Sequence, residues 1–405
     1  MGQGGGSLFD PSRFLDDLKH PGLVSAIDLA RWLAAFVVAI GHARFPLLKG
    51  YGALAEGQRP LWVQGWYFVT GYFVEAVLVF FVLSGFLVGG MVCARIARGS
   101  FDPPGYAVDR ASRLYTAFLP ALLLTVLLTW VGMTWFNATG LYDATNPTFA
   151  EKETAINFAA NGGLGTFLGN LAMLQFYFVE PYGANPPLWT LSSEFWFYMV
   201  FGMAGAAVLA AGARRWLLGG LAIVAALVLG PMFWLYLGMW LIGVAAAVIR
   251  PPRLPLALPA LVLLAGMLLF RRYADAALDP GEAMRFAIHY GICLAMGLLL
   301  IGWRARPPRW AVPLGGFNRF MADFSYSLYL THFPIIILCA AVLGTVTGDA
   351  GFRTGFAPTE SVALATYLGS VALALAFAWG FSRLTEARTA TVRAAVKRWL
   401  GRLAA

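Results

Sequence analysis

This chain of 405 residues is 60% hydrophobic and only 12% charged, with a mean hydropathy of +0.70. Soluble globular domains carry about 25% charged residues, so that class is excluded. Several runs reach or approach the roughly 18 apolar residues that cross a bilayer and lack the short alternating segments of a barrel. An all-α polytopic membrane protein is predicted, and the net charge of +9 is read against that topology rather than as a nucleic-acid signal.

In chain order, residues 1–26 form a cytoplasmic N-terminal segment opening on GQGGGS. No cleavable signal peptide is expected, because the first apolar run starts after about 20 polar residues and is long enough to span. A transmembrane domain at 27–384 follows. It holds about ten helices around a central cavity, at 27–48, 66–92, 114–136, 189–212, 216–231, 232–249, 255–270, 285–303, 320–345 and 361–384. With the N-terminus inside, 21 of the 29 Lys and Arg residues face the cytoplasm, among them Arg214, Arg215, Arg250 and Arg253. Glu151, Glu153 and Asp279 are among the acids that face out. The positive-inside rule then predicts both termini to be cytoplasmic.

The one long loop, 137–188, lies outside. Its stretch GGLGTFLGNLAMLQFYFVEPYGANPP is apolar but broken by glycine and proline. If it spanned, every later helix would invert and carry Arg214, Arg215, Arg250 and Arg253 outside. Residues 164–179 are therefore read as re-entrant or interfacial, a segment tolerated at membrane depth only inside protein or against a wet cavity. Residues 385–405 form a basic cytoplasmic tail, solvated or lying on lipid headgroups. Cys93, Cys293 and Cys339 have no metal-ligand spacing and read as small core residues. No internal repeat is present.

Ionisable groups inside spans are costly and mark cavities or bundle interiors. Arg31 and His42 are eleven residues apart, three helical turns plus roughly 20°, so they share a face about 16 Å apart along the axis. Taken singly, Arg31 could be a snorkelling anchor and His42 an interhelical hydrogen bonder. Asp28 can pair with Arg31 one turn away. Glu75 is expected about 14 Å into its helix, Glu194 about 8 Å below the outer edge, and His332 about 18 Å up from the cytoplasmic side. Two histidines and two carboxylates thus collect in the middle and outer membrane. A histidine held by a carboxylate is the general-base arrangement that activates a hydroxyl. The same four groups could hold zinc or iron, but none has the i, i+3 or i+4 spacing of a helical metal site, and no metal is expected.

At the cytoplasmic face Arg110 and Arg113 share one helix side, and paired guanidinium groups match phosphate oxygens. Positive-inside charge alone would explain an isolated pair. With Arg31 they read as a cluster for a long anionic donor whose reactive end meets His42 deeper in, which is the shape of an acyl-CoA such as acetyl-CoA. No Walker or Rossmann glycine pattern is present. Ser192 and Ser193 could act as nucleophiles or simply bridge helices. Trp62, Trp66, Trp189 and Tyr182 could stack on sugar rings, while most aromatic residues belong to interfacial belts. The alternative is a transporter or flippase of a glycolipid or small anionic solute; such proteins frequently show a two-fold repeat. A scaffold would not need these groups at staggered depths.

Five blocks in order carry a resemblance: Arg31 with His42, FFVLSGFLVGG from Phe80, DRASRLYTAFLP from Asp109, LWTLSSEFWFYM from Leu188, and FSYSLYLTHFPI from Phe324. Together the chain resembles the acyltransferase-3 family of integral-membrane acyltransferases. That resemblance implies about ten helices around a pore-like cavity in a bacterial inner membrane. It also implies a cytoplasmic acyl-CoA donor and an acceptor hydroxyl on a surface polysaccharide, lipopolysaccharide precursor or glycolipid. His42 and Arg31 match the family's catalytic pair and Arg110 and Arg113 its second functional pair; Glu194 is expected to act with His42 and Arg31, it or Glu75 orienting or charging the site. Asp28, Glu75, Ser84, Tyr326 and His332 are expected to support them. The chain departs from the family at Leu78, where an acid often precedes the paired phenylalanines; Glu75 could substitute. Members often add a soluble C-terminal domain; here only the basic tail follows, so the acceptor is expected to meet the membrane domain, its loops or a partner.

Overall fold

A computed structural model describes residues 7–150, 157–252, 254–278 and 281–403. Arg253, Glu151, Glu153 and Asp279 lie outside the described residues. Among the described residues the chain is helical, with three isolated bridges and no strand. Nine helical stretches there are long and apolar enough to cross a membrane, beginning with Pro21–His42 and ending with one that starts at Ser361. The remaining predicted span, 216–231, falls on the helix Gly212–Val228, 17 residues long and followed by Gly230 at φ 84°.

Two predicted elements differ in detail. The span at 66–92 is composite: Leu61–Val69, a break, Phe73–Ser84, a π-helical turn at Gly85–Gly89, then Gly90–Ala97. The break brings Glu75 into the first turn of its helix rather than nine residues inside it. The loop segment at 164–179 is an eight-residue helix, Leu164–Leu171, too short to span, followed by a tight turn. That turn holds Met173 and Phe176 at positive φ, 56° and 78°, and is pinned by buried Asn170. The Asn170 amide donates to the carbonyls of Thr166 and Glu180, and its oxygen accepts from the Tyr182 N–H.

The chain divides into two compact units. The first contains Val77–Ala107 and Trp196–Ala322 besides the N-terminal part up to Trp32. Its helices approach through small residues, the usual means of association in lipid, where there is no hydrophobic drive between helices. A side chain at Gly243 would meet the backbone of Val82 and Phe86, and one at Gly85 the carbonyl of Trp240. Buried Arg304 ion-pairs with Asp17 at 2.8 Å and donates to the carbonyls of Ala246 and Ile249.

The second unit contains Leu33–Ala76, Val108–Phe195 and the chain from Asp323 onward. At its centre the helix Ser325–Thr347 packs on Ser361–Leu384. Pro334 lies inside the former. Proline has no N–H, so the carbonyl four residues earlier loses its helical partner. That carbonyl belongs to Leu330, and the buried Asn185 amide donates to it at 2.9 Å. A side chain arriving from the long loop thus satisfies the backbone that proline releases.

Candidate active site

Within the second unit the end of one helix meets the middle of another. His42 is the last residue of Pro21–His42. Gly41 lets that end be approached closely: a side chain there would press on Phe73 and the Thr70 carbonyl. His42 Nδ1 lies 2.8 Å from His332 Nε2, with the two rings within 5° of parallel. Phe45, Phe73 and Phe333 wall the His42 ring, with centroids 5.4, 5.1 and 5.2 Å away. His332 is fully buried, whereas His42 keeps part of its surface exposed.

The hydrogen bonds assign the tautomers of a neutral pair. His332 Nδ1 faces the carbonyls of Leu328 and Tyr329 at 3.0 and 2.9 Å. Carbonyls only accept, so Nδ1 carries the proton and Nε2 is left as an acceptor. His42 Nδ1 must then donate to it, which leaves the lone pair of His42 on Nε2. The His42 tautomer is thereby set by two backbone carbonyls acting through a second imidazole.

Glu194 is half-buried on the helix Trp189–Leu209, within electrostatic reach of Tyr326 and Tyr329. Tyr329 donates to the Pro187 carbonyl and accepts from Thr190. The Tyr329 backbone carbonyl is one of the two that face His332 Nδ1. Glu75 is buried at 2% exposure, two residues from Phe73. Ser192 is bonded to the carbonyls of Gln175 and Trp189, and Ser193 to Tyr177, so both serine hydroxyls bridge segments. Tyr182 is buried and donates to the Gly162 carbonyl, while Trp62 is exposed.

A second cluster surrounds Arg113. Its Nη2 donates to Glu386 Oε1 at 2.8 Å, and its guanidinium lies 5.2 Å from the Tyr326 ring centroid. Glu386 Oε2 accepts from the N–H and hydroxyl of Ser327. Arg110 is half-buried one turn before Arg113. In the first unit, Arg31 faces Asp28 at 3.6 Å. There too, Ser84 sits beside the π-helical turn, 2.9 Å from the Tyr198 hydroxyl and accepting from the Trp240 indole. A local π turn recurs at functional sites.

The expected set is thus partly brought together: His42 joins His332, Glu194 neighbours Tyr326 and Tyr329, and Arg113 neighbours Tyr326. Sequence reasoning missed Glu386. Its signal was available, since it is the only acidic residue after Glu360. Among the described residues no three His, Cys, Asp or Glu groups converge to hold a metal. Outside the spans, burial pushes the Tyr182 phenol above its usual range. At Asp143 burial is outweighed by hydrogen bonds from Thr145 and Asn137, which hold the carboxyl below its usual range.

Residues 24–383 match the family model described as an acyltransferase domain, acyltransferase-3. An uncharacterized protein of Haemophilus influenzae is 30% identical over 125 residues, 30% of this chain. The match spans 45% of that relative's length. No solved structure matches.

Proposed function

We propose that this chain, which belongs to the acyltransferase-3 family and is a membrane acyltransferase, moves an acyl group, most often acetyl, from cytoplasmic acyl-CoA to an acceptor hydroxyl. The acceptor is a cell-surface glycan, a lipopolysaccharide precursor or a glycolipid, and the enzyme works in a bacterial inner membrane. The family match favours transfer over the transport alternative.

The observation that carries the reading is the 2.8 Å bond from His42 to His332, which leaves His42 Nε2 as a base on a partly exposed ring. In the direct route the acceptor hydroxyl gives its proton to His42 Nε2 as its oxygen attacks the thioester carbonyl. The new C–O bond forms, the C–S bond breaks, and the thiolate of CoA takes the proton back from the imidazolium. While His42 is charged, its Nδ1–H bond to His332 becomes charge-assisted and strengthens. In the two-step variant Nε2 attacks the thioester itself: the N–C bond forms, the C–S bond breaks and CoA thiolate leaves, giving an acyl-imidazolium. The acceptor oxygen then forms the C–O bond as the N–C bond breaks, the hydroxyl proton passing to the thiolate or to water and Nε2 recovering its lone pair. That route suits an acceptor on the outer side, and both routes use the same lone pair. Glu194 or Glu75 orients or charges the site, with Tyr326 and His332 in support. Arg31, Arg110 and Arg113 hold donor phosphates.

The test is release or transfer of label from radiolabelled acetyl-CoA by purified protein in detergent, wild type beside His42→Ala. Turnover by the wild type alone supports the reading. Near-normal turnover by His42→Ala overturns it.

A further inference from the structure

We propose that Glu386 is a positioning residue that sets the donor-side guanidinium of Arg113, so that the segment after the last span belongs to the donor site. This rests on the reading that Arg113 holds donor phosphate.

Glu386 begins a short turn, Glu386–Arg388, directly after the helix Ser361–Leu384. Threonines pin that turn on both sides: Thr385 donates to the Phe381 carbonyl and Thr389 to the carbonyl of Glu386 itself. The side chain is 6% exposed, and a buried carboxylate needs a charged or hydrogen-bonding partner for each oxygen. It has them, Arg113 on one oxygen and Ser327 on the other. Arg113, by contrast, keeps 33% of its side chain exposed.

The guanidinium is a planar fork with five donors. Glu386 sets one edge of it, and the Tyr326 ring sets its face. Tyr326 is itself tied down by donating to the Leu114 carbonyl. A fork whose edge and face are both set is pre-organised for phosphate, which lowers the ordering cost of binding. The tail grips the same helix a second time with charges reversed. Lys397 and Arg393 reach Asp109 at 2.8 and 3.8 Å, one turn before Arg113.

Two effects of Glu386 oppose each other. Its negative charge works against an anionic ligand, whereas its hydrogen bond orients the cation that binds it. Glu386→Gln removes the charge, so simple electrostatics predicts tighter donor binding and positioning predicts weaker binding. The experiment is steady-state transfer by full-length protein in detergent with acetyl-CoA and, separately, acetylpantetheine, which lacks the nucleotide phosphates. Glu386→Gln is expected to raise KM for acetyl-CoA about tenfold with kcat within about twofold. With acetylpantetheine the ratio of variant to wild type is expected to fall towards one. Ser327→Ala, which loosens the same carboxylate without touching Arg113, is expected to shift KM in the same direction by less, and this variant carries the test if Glu386→Gln does not fold. In an Arg113→Ala background, Glu386→Gln is expected to add nothing.

An unchanged or lowered KM for acetyl-CoA in Glu386→Gln, with Arg113→Ala raising it, overturns this inference alone. An equal loss with both donors overturns it too, as structural damage. Arg113→Ala without effect removes the donor-arginine reading and this inference with it. No wild-type turnover of either donor overturns the functional reading itself.

Discussion

His42 and His332, 290 residues apart in the chain, share a 2.8 Å hydrogen bond between near-parallel rings. Of the pair, only His42 retains exposed surface. His42→Ala is therefore expected to abolish transfer while acetyl-CoA still raises thermal stability, as a ligand of the folded state does. His332→Ala removes the acceptor that orients His42 and is expected to lower kcat about 10- to 100-fold, the range for loss of an orienting partner, with KM for acetyl-CoA little changed. Equal activity of His332→Ala and wild type would count against the tautomer assignment.

The Leu330 carbonyl depends on Asn185 because Pro334 cannot supply an N–H. Asn185→Ala is expected to destabilise by about 1–3 kcal/mol, the cost of an orphaned buried acceptor. In a Pro334→Ala background the helix can recapture that carbonyl, and the same substitution should cost less. Thermal unfolding of the four proteins in detergent measures the coupling, and strict additivity would argue against it.

The close approach at Gly243 leaves no room for a side chain beside the backbone of Val82 and Phe86. Gly243→Ala is expected to lower stability by about 1–3 kcal/mol through overpacking. Gly266, where nothing lies within reach of an added side chain, should accept alanine with little change. Comparing the two unfolding midpoints decides the matter.

Asp143 is held below its ordinary value of 3.8 although burial alone would raise it, because Thr145 and Asn137 donate to the carboxylate. A depressed pKa contributes stability that is present above the unfolded value and lost as pH falls through the folded one. Asp143→Asn should therefore be less stable than wild type at neutral pH, and the gap should close below pH 3.8. A gap independent of pH would show that the carboxylate's charge is not involved.

The membrane character and most helices were legible in the chain itself, because helix formation in lipid is a local requirement. An apolar run must satisfy its own backbone groups, and roughly 18 residues of it suffice. Arg31 and His42 could be placed on one helix for the same reason, since eleven residues at a fixed period need no tertiary information, and both lie on Pro21–His42. The segment at 164–179 reads as non-spanning from its glycine and proline breaks and from the arginines that a span there would carry outside, and its helix is only eight residues long. What the chain did not disclose is how distant groups pair. No local signal joins His42 to His332, Asn185 to the carbonyl released by Pro334, or Arg113 to Glu386, 273 residues away. Each is a directional bond made only once separate helices have packed, and packing in lipid is decided by the close fit of small residues rather than by any pattern of apolar and polar positions. The break between Val69 and Phe73 that moves Glu75 to a helix start is the intermediate case. Gly71 signals it locally, but an otherwise unbroken apolar run hides it until the neighbouring end of the His42 helix packs against Thr70 and Phe73.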